Sequence, residues 1–194
     1  MKFSALAEAY DRVNAAGGDP ARVRLLAALF RDSDRKTLEA AAHFTLSEVV
    51  APQFSDKLGV GPGTIRAVLA RLSGAAAEEI DEEVKRTGDM SEVVAGRVRG
   101  SDTLTVEELW RRANRAATRD ESRESLVEHV FTHTTARGAM YFTRMALNQM
   151  RIGVGIGTLA RALAEAFGVE PSAVEHLYAM TNDIGLVAAR AAQG

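Results

Sequence analysis

The sequence contains no cysteine, which excludes a disulfide framework, a thiol nucleophile and a thiolate metal site. No apolar run approaches the roughly 20 residues needed to span a bilayer. The opening Met1-Lys2-Phe3-Ser4 lacks the charged-then-apolar pattern of a secretory signal. Alternating strand patterns and Asn-Gly hairpin signals are also missing. No Ser-His-Asp arrangement or matched carboxylate pair is legible, so hydrolase chemistry has no support. Neither sign of charge dominates, since 24 Lys and Arg stand against 26 Asp and Glu. A net charge of −2 does not mark a bulk polyanion binder. These absences point to a soluble cytoplasmic protein without a membrane partner. With 46% hydrophobic and 26% charged residues, the 194-residue chain has no disordered tail and fits one domain or two small ones.

What is present reads as helix almost throughout. Phe3, Leu6, Tyr10 and Val13 recur at three to four residues, one stripe of an amphipathic helix. Asp19-Pro20 reads as a cap followed by proline at the first helical position, opening a helix through Val23, Leu26, Leu29 and Phe30. Asp34 is placed to cap a third helix, with Leu38, Ala41, Ala42 and Leu46 inward. Thr105 to Glu108 and Ser172 to Glu175 both fit the capping box. The expected fold class is all-α: ten to twelve short helices in two helical subdomains related by a pseudo-two-fold.

That symmetry follows from an internal repeat. Lys57-Leu58-Gly59-Val60-Gly61-Pro62-Gly63-Thr64-Ile65 matches Arg151-Ile152-Gly153-Val154-Gly155-Ile156-Gly157-Thr158-Leu159 at an offset of 94, and Leu69-Ala70 matches Leu163-Ala164. Seven of the 14 residues in 57–70 are identical to their partners. The offset continues through Asp89 and Asp183, Val93 and Val187, Ala95 and Ala189. Upstream, Phe44-Thr45 resembles Phe142-Thr143 with the spacing changed by four. A single internally duplicated domain is expected, with copies of about 1–100 and 101–194 and a boundary near Gly100-Ser101-Asp102.

Each copy carries a basic residue, an apolar residue, and Gly-Val-Gly-x-Gly-Thr entering a helix. Glycines let backbone approach a ligand closely and adopt positive φ. A helix N-terminus presents unpaired N–H groups and a partial positive charge, which favours phosphate. Lys57 and Arg151 would supply charge; Thr64 and Thr158 would supply a hydroxyl as cap or donor. The competing explanation is a tight inter-helix turn whose glycines are needed for packing. Recurrence of the same positions in both copies favours phosphate. A nucleotide P-loop is excluded, because the Gly-Lys-Ser/Thr ending and a preceding strand are missing. The second loop also lies in a segment, His129 to Ala164, without any acid, where Arg137, Arg144, Arg151 and Arg161 fall. Other candidates weigh less. His129 and His133 stand four apart but lack the His-Glu-x-x-His pattern, so no metal is expected. Trp110, Met140, Met145 and Met150 fit core packing, and the acidic run from Glu78 to Glu83 fits a solvated helix start.

The run Met140-Tyr141-Phe142-Thr143-Arg144, then Met150-Arg151-Ile152-Gly153-Val154, Leu159, Leu163-Ala164 and Ala166-Phe167, resembles the end of the N-terminal DNA-binding domain of ATP-dependent DNA ligases. So do Met1 to Ala7, Leu58 to Gly61, Thr87 to Val94 and Asn182 to Ala188, so the resemblance covers nearly the whole chain. It implies an all-helical domain that binds nicked double-stranded DNA through backbone and minor groove, in DNA repair, replication and recombination. The contacts it implies are Lys57, Gly59, Gly61, Gly63 and Thr64 in the first copy. In the second they are Arg144, Arg151, Gly153, Val154, Gly155, Gly157 and Thr158, with Arg137 added from the acid-free segment. The nucleotidyltransferase motif Lys-x-Asp-Gly is missing. The chain is therefore expected to be no enzyme by itself and to hold no catalytic residue. ATP and Mg belong to a ligase catalytic domain, a partner in cis or in trans. A nucleoid-associated monomer is expected. The family's sliding-clamp contact has only a faint echo in Gln53-Phe54. Two alternatives stay open: a helix-hairpin-helix type of non-specific DNA-binding protein, and a helical scaffold without nucleic acid.

Overall fold

The stripe Phe3, Leu6, Tyr10 and Val13 is buried on one face of the first helix, α1 (Phe3–Ala15). The computed structural model describes residues 1–54 and 58–194. After α1 come α2 (Asp19–Arg31), α3 (Arg35–Thr45), α4 (Pro62–Ser73), α5 (Ala77–Thr87) and α6 (Met90–Arg97). The second six are α7 (Val106–Ala117), α8 (Arg123–His133), α9 (Ala136–Ala146), α10 (Ile156–Phe167), α11 (Pro171–Thr181) and α12 (Ile184–Ala191). The fold is all-α. Among the described residues the only β feature is an isolated bridge between Lys2 and Thr105. Among the described residues no helix is long and apolar enough to cross a membrane.

Capping residues set several helix starts as their chemistry requires. Asp34 accepts from the Thr37 amide at 3.1 Å and the Thr37 hydroxyl at 2.7 Å, and these bonds hold its carboxyl below the usual carboxylate range. Thr105 accepts from the Glu108 amide at 3.1 Å. Two expected caps fall elsewhere. Asp19 is the first residue of α2 and Gly18 is its N-cap; the Asp19 carboxylate is taken by α10 instead. Ser172 lies inside α11, which begins at Pro171 and has Glu170 as N-cap without a side-chain bond.

The helices of the two sequence halves recur at fixed offsets. The bounds of α4, α5 and α6 reappear 94 residues later as α10, α11 and α12. The bounds of α3 reappear 101 residues later as α9, as do its N-cap and the left-handed residue that ends it, Ser47 and Asn148. The Phe-Thr pairs, 98 residues apart, are therefore out of register with the helices. Partners are exchanged between the halves. α2 packs most extensively on α10 and α3 on α12, while α8 packs on α4 and α9 on α6. The segment near the expected boundary is held firmly. Ser101 donates to the Thr132 carbonyl and Leu104 to that of His133, and Phe3 donates back to Leu104. A Cβ on Gly100 would meet the Phe131 carbonyl oxygen at 2.4 Å, so only glycine fits there.

One buried core runs through both sets of helices. Trp110 of α7 stacks on His43 of α3 at 4.6 Å and meets Phe44 edge-on at 5.7 Å, joining the sets. Met145 and Met150 are buried and Met140 packs against the core, in keeping with a core role.

Candidate nucleic-acid interface

The repeated loops are built by alternation. Leu58 and Val60 in the first, and Ile152 in the second, turn into the core, while Gly59 and Gly153 between them stay exposed. Gly59 has φ +70 and Gly153 φ +67, a left-handed conformation in which a side chain is strained. Each loop ends in a glycine N-cap, Gly61 for α4 and Gly155 for α10, with no side-chain bond to the first turn. The opening amides of both helices are thus uncapped by side chains, except that Pro62 removes one donor from α4.

The glycines at these helix entries are not explained by packing. A Cβ on Gly61, Gly63 or Gly155 would meet no described atom within 4 Å, and one on Gly157 only Glu175 at 3.6 Å. Neither N-cap glycine has positive φ. Glycine at these four positions keeps the surface flat where nothing in the chain demands it.

The acid-free segment is not acid-free in space. Arg137 pairs with Asp11 of α1, and Arg161 pairs with Asp19 of α2. Arg144 is largely buried, with Nε donating to the Ser91 hydroxyl at 3.1 Å, a terminal nitrogen 3.8 Å from Asp89, and its guanidinium 5.4 Å over the Tyr141 ring. Burial alone would raise the Asp89 carboxyl. Hydrogen bonds from the Ser91 hydroxyl and amide, and the charges of Arg144 and Arg151, hold it below the usual carboxylate range instead. Of the four arginines only Arg151 enters no ion pair among the described residues. It is exposed, sits at φ +53, and lines a cleft of about 580 Å³ with Gly153, Gly155, Ser47 and Asn148.

Several sequence candidates take other positions. Arg144 is a buried brace between α9 and α6 rather than an open contact. Val154 packs against the core, so its side chain is turned away from the exposed glycines. Thr158 is buried and donates its hydroxyl to Asp19 at 2.7 Å, so it neither caps α10 nor faces outward. Thr64 remains partly exposed beside Gly59. Lys57 lies outside the described residues.

Sequence reasoning missed two arginines that the fold delivers to the loops. Arg123 of α8 donates from Nε to the Leu58 carbonyl at 2.8 Å, and a Cβ on Gly59 would come within 2.5 Å of it. Arg22 of α2 stands over Gly153, where a Cβ would meet its Cζ at 3.0 Å. Only the offset of 101 relates them, and the glycine repeat runs at 94. His129 and His133 stack at 4.0 Å, with His129 2.9 Å from Glu108. Among the described residues no three His, Asp or Glu side chains are grouped to hold a metal.

Comparison with known proteins shows the family to which the chain belongs. The family described as DNA ligase N terminus matches residues 2–163. DNA ligase 2 of Methanosarcina acetivorans is 31% identical over 188 residues, covering 87% of this chain and 33% of that protein. The DNA ligase of Methanothrix thermoacetophila is 31% identical over 208 residues, covering 99% of this chain and 37% of its own length. That of Archaeoglobus fulgidus is 33% identical over 178 residues, covering 85% and 32% respectively. The chain spans about a third of the length of these relatives.

Proposed function

Since the chain belongs to the family of DNA ligase N-terminal domains, we propose that it binds nicked double-stranded DNA through phosphates and minor-groove sugar edges. The chain is then the internally duplicated DNA-binding domain of an ATP-dependent ligase acting in repair, replication and recombination, with copies of about 1–100 and 101–194. Each copy offers one loop: Gly59, Gly61, Gly63 and Thr64 with Lys57 in the first, and Arg151, Gly153, Gly155 and Gly157 in the second. The observation that carries this is the set of glycines at 61, 63, 155 and 157, for which neither packing nor backbone angle gives a reason. A flat surface at two uncapped helix entries suits close approach of a phosphate backbone. Backbone amides and single arginines do not read the major-groove code, so binding is nearly independent of sequence and falls with salt. The sealing chemistry falls to a catalytic domain holding ATP and Mg, in cis or in trans.

The test is a titration of the 194-residue chain on nicked duplexes at several salt concentrations. Binding should weaken steeply with salt and change by less than about tenfold when the sequence is scrambled, roughly 1.4 kcal/mol. Absence of any complex at low salt, as for a pure scaffold, would overturn the proposal. Labelled ATP should leave no covalent adenylate on this chain, because it has no Lys-x-Asp-Gly.

A further inference from the structure

We infer that Arg22 and Arg123 are two further phosphate-binding residues, each serving the loop supplied by the opposite half of the sequence. The inference rests on the DNA-binding reading above and extends it to side chains outside both loops.

Three observations carry it. First, the arrangement occurs twice. Arg123 lies against Gly59 and Arg22 against Gly153, and both glycines have left-handed φ and no side chain in the way. The arginines are 101 residues apart and the glycines 94, so the pairing arises from the exchange of helices between halves, not from one repeated stretch of sequence. Second, neither guanidinium is neutralised by an ion pair: among the described residues Arg22 and Arg123 enter none, unlike Arg137, Arg144 and Arg161. Among the described residues Arg123 spends only Nε, on the Leu58 carbonyl. Arg22 has a buried Nε with no hydrogen-bond partner among the described residues. Third, Arg123 lines a cleft of about 390 Å³ with Gly59, Thr64, Arg119 and Ser122, directly beside the entry to α4. The acids Glu121 and Glu124 share that cleft; one Glu121 oxygen is taken by Arg112, and the other is buried with no hydrogen-bond partner among the described residues.

The chemistry follows from these placements. A guanidinium presents five donors in a fixed plane. With Nε fixed against a loop carbonyl, the terminal nitrogens of Arg123 are pre-oriented at little further cost in side-chain entropy. A phosphate seated at the helix entry would be met from one side by backbone amides and from the other by this guanidinium. Without a side chain on Gly59 or Gly153, the guanidinium can lie flat on the loop. The ligand is a DNA backbone phosphate, one for each loop.

The experiment compares wild type with Arg22→Gln, Arg123→Gln, the double variant, Arg22→Lys and Arg123→Lys on one nicked duplex across a salt series. Circular dichroism and thermal melting are followed in parallel. Each Gln variant should lower the log–log salt slope by about 0.9 and the double variant by about twice that, with helicity retained. Each Lys variant should restore the slope, because lysine keeps the charge. Unchanged slopes in the Gln variants, with wild type still binding, would overturn this inference and leave the DNA reading standing. Lys variants as weak as the Gln variants would also overturn it, since the arginines would then only brace the loops. Should a Gln variant fail to fold, its Lys counterpart decides alone. A wild type that does not bind the duplex removes the DNA reading together with this one.

Discussion

Arg144 on α9 and Asp89 at the start of α6 face one another 3.8 Å apart, linked through the Ser91 hydroxyl, which donates to Asp89 at 2.7 Å and accepts from Arg144 at 3.1 Å. The same place in the other half is occupied by His43, whose Nε2 accepts from the Gly185 amide at 3.2 Å, with the Asp183 carboxylate beside it. An exchanged pair of helices is thus joined on each side: Arg144 reaches Ser91 and Asp89 at the start of α6, and His43 takes the Gly185 amide at the start of α12. The first joint uses Arg144 for stability, leaving little of it for a ligand.

Arg144→Ala is accordingly expected to destabilise the fold by about 2–3 kcal/mol, because it strands a partly buried carboxylate and a hydroxyl. Denaturant unfolding gives the value. Binding of nicked DNA by the folded variant should keep its salt slope; a slope lower by a full unit would show that Arg144 touches phosphate.

Arg151→Ala should act oppositely. Exposed and without an ion pair among the described residues, Arg151 carries little fold stability, so the melting temperature should move little. Duplex affinity should drop by about tenfold and the salt slope by about 0.9. Arg137→Ala and Arg161→Ala, whose charges are already matched by Asp11 and Asp19, should each cost less affinity than Arg151→Ala. Titrations of all three on one duplex give the ranking.

Two glycines four residues apart should respond in different ways. Gly153→Ala places a Cβ at left-handed φ and 3.0 Å from Arg22, and should cost about 1–2 kcal/mol of stability. Gly157→Ala falls in the first turn of α10 with ordinary contacts, and should stabilise by roughly 0.5–1 kcal/mol. If DNA approaches this turn closely, Gly157→Ala should bind more weakly despite being more stable. Calorimetry and titration of the same preparation separate the two effects.

Acid should weaken the fold in two stages. Burial, the neighbouring Arg112 and His133 push His129 below its ordinary value of 6.5 against the pull of Glu108. The native state therefore disfavours the charged ring. Its contribution is complete above about pH 6.5 and is lost as pH falls below that toward the lower native value. The Asp89 carboxyl is also held low, so its contribution persists above its ordinary 3.8 and disappears only as pH falls through the depressed native value. Melting temperature followed from pH 8 to 3 should show both losses, and His129→Gln should flatten the first while leaving the second.

Much of the local structure was legible because it depends on neighbours in sequence. The Phe3 to Val13 stripe, the Asp34 and Thr105 caps and the two glycine loops all lie within a single helix or its entry. What sequence could not show is which distant group meets which. Asp19 looked like a helix cap because aspartate before proline often is one; its true partners, Thr158 and Arg161, lie about 140 residues away. Arg137 and Arg144 stand far from any acid along the chain, and Arg161 has only Glu165 close by, yet three distant aspartates meet them. Arg22 and Arg123 carried no local signal, since each gains meaning only from a glycine in the opposite half.

The exchange of partners between halves also sets an order of events during synthesis. When the first half has left the ribosome, α2 and α3 exist without α10 and α12, the helices that cover them. Leu26, Phe30 and Leu38, all buried in the folded chain, lie on helices whose main partners come only with residues 156–191. Because these closures join residues more than a hundred positions apart, they come late and slowly. A nascent chain stalled near Gly100 would therefore display apolar surface to whatever chaperone or neighbour it meets, and the arrival of α10 to α12 is the step that removes it.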